Sequence, residues 1–349
     1  MALFKTFGSN PSGSDLEKIK RLSPHYRDGV FHNLSQTDAL VKGASFPRIM
    51  WRFFNKPKNT APPKALPSVR TNLESFSGDR TVIVWFGHSS YYIYINGMHV
   101  LVDPVFSGHA SPFSFTGKSF RGSDVYNIDD FPAIDLLILT HDHYDHLDYN
   151  TVKQLQSKTR RICTSIGVGS HLRYWGIDPS IVTELDWWDS FRITSNNTVI
   201  LELVAAPARH FSGRSLTRNK TLWSSFILRS GVYSIYIGAD SGYDSHFKTI
   251  GEKYGPFDLA LLECGQYNEW WPYIHMMPEQ TVQASIDLKA KWLMPVHWGK
   301  FALGLHPWDE PVKRVVAKAK ELNVNITTPL IGQPVILNES YPHEQWWLE

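Results

Sequence analysis

Residues 135–149, DLLILTHDHYDHLDY, constrain the fold more than any other part of this sequence. Leu136–Leu139 is an uninterrupted apolar run, which is typical of a strand buried on both faces. Imidazoles and carboxylates crowd the loop that follows, at His141, Asp142, His143, Asp145 and His146. Such groups are metal ligands, and a solvated polar loop does not account for their ordered spacing. The sequence therefore predicts a metal site just beyond a core strand.

Three more predicted strands end close to a residue that can bind a metal. Ligands just beyond the ends of core strands are held by a rigid scaffold and converge on one edge of the sheets. We therefore expect these residues to join the histidine-rich loop. The three pairs are Val204 before His210, Ile237 before Asp240, and Val296 before His297.

Hydrophobic periodicity predicts strands in two runs with a few helices between them. By itself this pattern indicates an α/β or α+β protein. The predicted strands are 81–86, 90–95, 98–102, 136–139, 161–165, 181–185, 191–193, 199–205, 224–229, 233–237, 258–263, 292–296 and 334–337. The predicted helices are 15–22, 37–41, a turn or helix at 169–175, 278–288 and 311–322, and Asp148 or Asn150 can cap a short helix after the loop.

Composition sets the wider limits. A chain of 349 residues with 42% hydrophobic residues can bury a sizeable core, and the net charge of +2 gives no nucleic-acid footprint. Its two cysteines, Cys163 and Cys264, lie beside apolar residues and are expected as buried free thiols. There is no apolar run of about 18 residues and no signal-peptide pattern. We expect a cytoplasmic protein, with peripheral membrane contact as a further expectation.

Five short segments resemble motifs of the metallo-β-lactamase superfamily and, within it, of the N-acyl phosphatidylethanolamine phospholipase D family. They are WFGHSS (85–90), LVDPVFSGHASP (101–112), THDHYDHLDY (140–149), CGQYNEWWP (264–272) and PVHWGKFAL (295–303). The resemblance covers roughly residues 80–310. It implies a four-layer αβ/βα sandwich, in which two mixed β-sheets are flanked by helices. We expect residues 79–349 to form this catalytic domain and residues 1–78 to be an N-terminal extension packed on it.

The resemblance also implies a ligand set for two metal ions. It assigns His141, His143 and His210 to one ion, Asp145, His146 and His297 to the other, and Asp240 to a bridge between them. Five imidazoles and two carboxylates suit two zinc ions per chain, and such sites also accept manganese or iron. Asp142 is not a ligand in that pattern; it is expected to orient an imidazole or to face solvent.

Other residues match family positions near the metals or the substrate. His88, Ser89 and Asp103 follow strands near the metals; Asp103 either orients a ligand imidazole or forms a turn before proline. His275 either donates a hydrogen bond to a phosphoryl oxygen, or protonates the leaving group, or is an ordinary loop histidine. Three aromatic residues either line an apolar entrance for acyl chains or pack in the core. They are Trp270, Trp271 and Tyr273.

The function implied is that of a di-zinc phosphodiesterase. It would cleave N-acyl phosphatidylethanolamine-like phospholipids to N-acylethanolamine and phosphatidic acid by attack of metal-bound hydroxide, with Asp145, Asp240 and His275 as catalytic residues. The absence of a G-x-S-x-G motif agrees with a reaction that needs no serine nucleophile. A lactonase of the same fold is the main alternative. A non-hydrolytic di-iron redox protein would need a flavin-binding domain, and a metal-binding scaffold would have broken ligands, whereas all seven positions are filled.

Overall fold

Two mixed β-sheets lie face to face in the computed structural model, which describes residues 5–348, the side chain of Phe46 excepted. A short hairpin of β1 and β2 precedes them. The strands are β1 (Tyr26–Arg27), β2 (Val30–Phe31), β3 (Val82–Trp85), β4 (Tyr91–Ile95), β5 (Met98–Val102), β6 (Leu136–Leu139), β7 (Ile162–Ser165), β8 (Val182–Leu185), β9 (Ser190–Ser195), β10 (Thr198–Pro207), β11 (Ser224–Ser230), β12 (Tyr233–Ile237), β13 (Leu259–Glu263), β14 (Leu293–Val296) and β15 (Pro334–Ile336).

The seven-stranded sheet has the order β15-β3-β4-β5-β6-β7-β8, and the six-stranded sheet has the order β14-β13-β12-β11-β10-β9. Helices cover the outer faces, as predicted for an αβ/βα sandwich. They are α1 (Gly13–Leu22), α2 (Phe46–Phe54), α3 (Tyr149–Leu155), α4 (Gly169–Tyr174), α5 (His246–Tyr254), α6 (Pro278–Asp287) and α7 (Glu310–Glu321). The predicted fold class is confirmed, and Asp148 caps α3 by accepting a hydrogen bond from the Asn150 N–H group.

Apolar side chains from both sheets meet between the layers. Ile93 and Val100 of one sheet belong to the same fully buried cluster as Leu203 and Phe226 of the other. Each such side chain contributes about 1.5–3 kcal/mol by leaving water. Cys163 and Cys264 are both buried and unpaired, as predicted. This core makes the sandwich a rigid support for the loops at its edge.

Residues before β3 also contact the sandwich. Ile19 and Phe31 pack with Trp187 and Trp223, and Leu66 joins the central core. These contacts are consistent with an extension that packs on the core. The division of the chain near residue 78 remains a prediction.

One predicted N-terminal helix is wrong. Residues 37–41 are irregular, because their polar groups bond to other parts of the chain. Arg209 donates to the Thr37 hydroxyl, and the Val41 N–H group donates to the Trp270 carbonyl. The helix in this region is instead α2, which has proline in its first turn.

The ends of six strands are brought to one edge of the sandwich. β3, β5 and β6 run in the same direction in one sheet. β10, β12 and β14 do so in the other. The carboxyl ends of parallel strands share one edge of a sheet, so the loops that leave them meet there. Every predicted ligand lies on one of these loops.

Candidate metal centre

The first ligand cluster consists of His141, His143 and His210. The His143 Nδ1 atom lies 3.0 Å from His141 Nε2 and 3.2 Å from His210 Nε2. Nitrogen atoms on one tetrahedral zinc ion are separated by roughly 3.3 Å, given zinc–nitrogen bonds of about 2.0–2.1 Å. The three imidazoles therefore already have the spacing that a single ion requires.

The second ligand cluster consists of Asp145, His146 and His297. The His146 Nε2 atom lies 3.6 Å from an Asp145 carboxylate oxygen. Asp145, His146 and His297 offer ligand atoms that all lie within 4.8 Å of one another. This cluster differs from the first because it contains a carboxylate of its own.

Asp240 lies between the two clusters, and its two oxygens face opposite ways. Its Oδ2 atom is 3.8 Å from His141 Nε2 and 3.6 Å from His210 Nε2. Its Oδ1 atom is 3.1 Å from His146 Nε2 and 3.0 Å from His297 Nδ1. A carboxylate in this position can bridge two ions, one for each oxygen.

The protonation pattern of the first cluster fits a bound cation. His210 Nδ1 donates to the Ile274 carbonyl at 2.8 Å, which leaves the lone pair on Nε2. Burial lowers the pKa of His210 and of His141 well below the usual range, so both rings are neutral. The Thr140 hydroxyl donates its proton to Asp103 and therefore accepts from His141 Nδ1, which leaves the His141 lone pair on Nε2 as well. Lone pairs of both rings thus face a carboxylate oxygen. Such a pairing is repulsive without a cation between the groups.

The second cluster fits a cation for a related reason. Although His146 Nε2 and Asp240 Oδ1 are buried and only 3.1 Å apart, their orientation makes no hydrogen bond, and neither atom has another hydrogen-bond partner. Burial opposes the charged form of His146, but the Asp240 and Asp145 carboxylates raise the pKa of this imidazole well above its usual value. The site therefore attracts positive charge, and it offers nitrogen and oxygen ligands to carry it.

Further buried groups orient the ligands. Asp103 accepts a hydrogen bond from His146 Nδ1 at 2.7 Å and from the backbone N–H group of Thr140 at 2.8 Å. The Thr140 hydroxyl lies 3.0 Å from His141 Nδ1. Partners of this kind fix which ring nitrogen points at a metal and make that nitrogen more basic.

His88 and Ser89 contact the second cluster only. His88 Nε2 lies 2.9 Å from an Asp145 oxygen, and burial lowers the pKa of His88 to about 3. The neutral ring must therefore donate its Nε2 proton to that carboxylate. The Ser89 hydroxyl is 2.9 Å from His297 Nδ1.

Left-handed backbone conformations concentrate around these residues. The φ angles are 53° at His88, 40° at Asp103, 52° at Ala239 and 65° at His297. Side chains other than glycine rarely adopt such angles, which cost of order 1–3 kcal/mol each. Strained residues of this kind cluster at functional sites, where the surrounding structure holds them in place.

The Asp142 side chain neither faces solvent nor hydrogen-bonds to a predicted ligand. It is buried, accepts a hydrogen bond from the Gly213 N–H group at 2.8 Å and lies 3.3 Å from His171 Nε2. The expected role in orienting an imidazole therefore applies to His171, which in turn accepts a hydrogen bond from the Ser9 N–H group.

Glu263 is a site residue that the sequence interpretation missed. It ends β13 and is fully buried. Its Oε2 atom accepts from His275 Nδ1 at 2.6 Å, and its Oε1 atom accepts from the Ser241 N–H group. Burial lowers the pKa of His275, but the Glu263 carboxylate outweighs that effect and raises it to about 9. Asp240 was predicted as a ligand because it lies just beyond the end of a core strand. Glu263 lies at the end of another core strand, so the same pattern would have indicated it.

A cavity of about 360 Å³ leads to both clusters and to His275. Its floor contains His143, Asp145, Asp240 and His297, and its apolar wall includes Ile49, Phe53, Phe211, Trp271, Ile274 and Leu303. Trp271 lines this cavity and also packs in a buried apolar cluster. Trp270 and Tyr273 do not line this cavity. Trp270 packs beside Arg52, and Tyr273 lies under the Arg209 guanidinium and is 39% exposed.

Comparison with known proteins identifies the class. A family model described as the beta-lactamase superfamily domain matches residues 98–298, more than half of the chain. The chain therefore belongs to the metallo-β-lactamase superfamily, and it is a metal-dependent hydrolase of that fold whose candidate metal ligands lie close together. The metallo hydrolase Igni18 from the archaeon Ignicoccus hospitalis has a similar structure. Its TM-score is 0.58 at 18% identity over 75% of this chain and 100% of that one.

Two relatives are similar in sequence over most of the chain. The uncharacterised protein Rv0906 of Mycobacterium tuberculosis is 39% identical over 343 residues, which cover 96% of this chain and 91% of the relative. The N-acyl-phosphatidylethanolamine-hydrolyzing phospholipase D 1 of Caenorhabditis elegans is 33% identical over 265 residues, or 71% of this chain and 74% of that enzyme. Within residues 5–348, none of the helices has the length and apolar character needed to cross a bilayer.

Proposed function

We propose that this protein is a binuclear zinc phosphodiesterase of the phospholipase D type. Its substrate would be an N-acyl phosphatidylethanolamine-like phospholipid, and its products would be N-acylethanolamine and phosphatidic acid. The observation that carries the proposal is the position of Asp240, with one oxygen toward each ligand cluster and an apolar cavity above both. The similarity to the nematode phospholipase D supports the choice of substrate.

The ions would be held by the first cluster, by the second cluster and by Asp240 between them. When bound, two divalent ions lower the pKa of a shared water and neutralise charge that develops on the phosphate. The chain itself supplies seven ligands already in place, so little reorganisation accompanies binding. The clusters contain no thiolate, and imidazole with carboxylate suits zinc well.

The pair of Glu263 and His275 would supply the proton that the leaving oxygen needs. Glu263 accepts from His275 Nδ1 and fixes the ring, so that Nε2 is the free nitrogen. His275 lines the cavity that contains Asp145 and Asp240. A proton on Nε2 can pass to the ethanolamine oxygen as its bond to phosphorus breaks.

The cavity walls match the rest of the proposed substrate. Apolar side chains cover one side of the cavity, and they suit an acyl chain. Arg218 is the only arginine or lysine among the residues that line it. The Arg218 guanidinium lies 5.0 Å from the centre of the Phe211 ring, which contacts His143. A cation at this entrance can pair with a phosphodiester oxygen.

Hydrolysis of N-acyl phosphatidylethanolamine in ¹⁸O-labelled water tests the proposal. Water adds to phosphorus and the bond from phosphorus to the ethanolamine oxygen breaks, so the label must enter phosphatidic acid. The N-acylethanolamine must be unlabelled, because its oxygen comes from the substrate. Mass spectrometry of both products distinguishes these positions, and Asp240→Asn protein serves as the matched control for contaminating lipases.

The other products each contradict a different part of the proposal. Diacylglycerol would mean that the other ester bond to phosphorus breaks, and labelled fatty acid would mean attack on an acyl carbonyl. Failure on every phosphodiester, together with opening of lactones and label in the new carboxylate, would replace the proposal with a lactonase.

A further inference from the structure

Helix α2 has an apolar inner face and an apolar outer face. Ile49 is buried and packs with Phe53 against Trp271. On the opposite side Trp51 is 62% exposed and Phe54 is 82% exposed. Trp51 and Phe54 are three positions apart and are therefore neighbours on the helix surface. Two adjacent exposed aromatic rings form a contiguous apolar patch, and such patches, unlike single exposed residues, mark interaction sites.

The segment that contains α2 is the most one-sided in charge. Residues 39–73 contain no Asp or Glu, and they contain Lys42, Arg48, Arg52, Lys56, Lys58, Lys64 and Arg70. The whole chain has a net charge of only +2, so the remainder is net negative. Lys42, Arg48 and Lys58 are exposed, and none of them pairs with an acidic side chain of the described residues.

The same segment borders the entrance to the metal centre. Leu40 and the inner-face residues Ile49 and Phe53 form part of the cavity wall. Lys56 donates to the Ala302 carbonyl at 2.6 Å and so fixes the end of the helix beside Leu303, another wall residue. Any surface bound by the outer face of α2 therefore lies next to the cavity.

We propose that α2 docks this protein on an anionic phospholipid bilayer. Trp51 and Phe54 would enter the interface between headgroups and acyl chains, where interfacial helices bury tryptophan and phenylalanine side chains. The exposed cations of the segment would face lipid phosphates. Charge complementarity selects this occupant, because aromatic side chains among cations on a surface helix are typical of helices that lie in the plane of an anionic membrane.

This inference goes beyond the proposed reaction and does not depend on it. A bilayer surface would bind α2 whatever bond the metal centre hydrolyses. Docking would, however, place the cavity entrance near the lipid headgroups. A phospholipid could then enter the cavity without leaving the bilayer completely.

Sedimentation with phospholipid vesicles tests the docking surface. We expect the protein to sediment with phosphatidylcholine vesicles that contain phosphatidylglycerol, and much less with phosphatidylcholine alone. Replacing both Trp51→Ser and Phe54→Ser should lower the partition coefficient at least about tenfold. The matched control is Val232→Ser, which removes an apolar residue that is 81% exposed on the turn between β11 and β12.

The charges are tested in the same assay. Replacing both Arg48→Gln and Lys58→Gln should weaken binding roughly thirtyfold at low salt, and the difference should shrink as salt screens the surface. Lys248→Gln with Lys320→Gln removes two exposed cations from the helices α5 and α7, and should change binding little. Far-ultraviolet circular dichroism and thermal unfolding establish that each variant is folded.

A fluorescent label reports the contact directly. Both native cysteines are buried, so a thiol-reactive, polarity-sensitive dye on a Phe54→Cys variant marks one position. Its emission should shift to the blue on anionic vesicles, whereas a dye on Val232→Cys should not change. Equal sedimentation of the Trp51→Ser, Phe54→Ser variant and the wild type, or an unchanged emission at position 54, would overturn the proposal.

Two further outcomes separate the alternatives. A lipid-free oligomer that dissociates in the Trp51→Ser, Phe54→Ser variant, with vesicle binding intact, would assign the surface to a second copy of the chain. Asp240→Asn protein should bind vesicles as the wild type does. Vesicle binding without hydrolysis of any phospholipid would therefore reject the proposed function and leave the docking surface standing.

Discussion

The two ligand clusters differ in how their side chains are held. In the first cluster the bracing groups are neutral: the Thr140 hydroxyl beside His141 and the Ile274 carbonyl beside His210. In the second cluster a buried carboxylate, Asp103, holds His146. The second cluster also contains the carboxylate of Asp145, which the first cluster has no counterpart for. We expect the second cluster to bind its ion more tightly, because negative charge near a buried cation is weakly screened.

The largest effect should come from Asp240→Asn, which removes the charge that both clusters share. The amide keeps the volume, but it cannot bridge two cations as a carboxylate does. We expect kcat to fall roughly a thousandfold, the equivalent of about 4 kcal/mol. Elemental analysis should give close to two metal ions per chain for the wild type and fewer for the variant.

The matched control for that variant is Asp129→Asn, which changes an exposed carboxylate that belongs neither to the ligand clusters nor to the cavity lining. Near-normal turnover in Asp240→Asn protein with full metal content would remove Asp240 as a bridge. A wild type that is fully active with one ion would contradict the binuclear centre itself.

Asp103→Asn tests whether the two clusters differ in metal affinity. The loss of a carboxylate that braces a ligand imidazole typically costs 10–100-fold in metal affinity. We expect a titration with a chelator to show that one of the two ions is weakened and the other is nearly unchanged. Thr140→Val removes the neutral brace of His141 and one of the hydrogen bonds that Asp103 accepts, but it leaves the contact between Asp103 and His146 in place. It should therefore cost only a few-fold in metal affinity. Equal losses in the two variants would mean that the clusters do not differ in this way.

Glu263→Gln is expected to change activity less than the two preceding variants do. Its effect should be seen in the pH dependence of kcat. Because Glu263 raises the pKa of His275 to about 9, the protonated ring persists below that pH and is lost as the pH rises through it. Without the carboxylate the pKa falls, so the alkaline limb of kcat should move about one unit or more to lower pH. An unmoved limb would show that His275 does not supply the proton.

His275→Ala distinguishes proton donation from binding. A general acid matters most when the leaving oxygen is a strong base. The variant should therefore lose more activity toward an alkyl phosphodiester than toward one with an activated aryl leaving group. Equal losses on the two substrates would assign the residue to substrate binding.

The sequence predicted the histidine-rich loop and the strand ends because these are local patterns. Leu136–Leu139 is a buried strand, as its apolar run predicted, and the structure brings the seven predicted ligands together. Partners across the fold could not be predicted, because nothing near His210 in sequence indicates that its Nδ1 atom bonds the Ile274 carbonyl. Glu263 was missed because the apolar residues of β13 were interpreted only as part of the hydrophobic core, and the polar residue at the end of the strand was not considered.

The region around α2 teaches a related lesson. The net charge of the whole chain, +2, does not indicate the positive charge of this segment, because acidic residues elsewhere cancel it. The incorrect helix at 37–41 arose because local propensity cannot anticipate that Thr37 bonds Arg209. Charge counted in short windows would have found the basic segment without a structure.

The arrangement of the ligands also has a consequence for the order of folding. His141, His143, Asp145 and His146 leave the seven-stranded sheet, whereas His210, Asp240 and His297 leave the six-stranded one. Neither ligand set is complete until both sheets have formed and docked, so closure of long loops precedes tight metal binding. Bound ions would therefore join the fold late and link the two layers rather than nucleate the chain. Their binding energy should mainly slow the separation of the two sheets during unfolding.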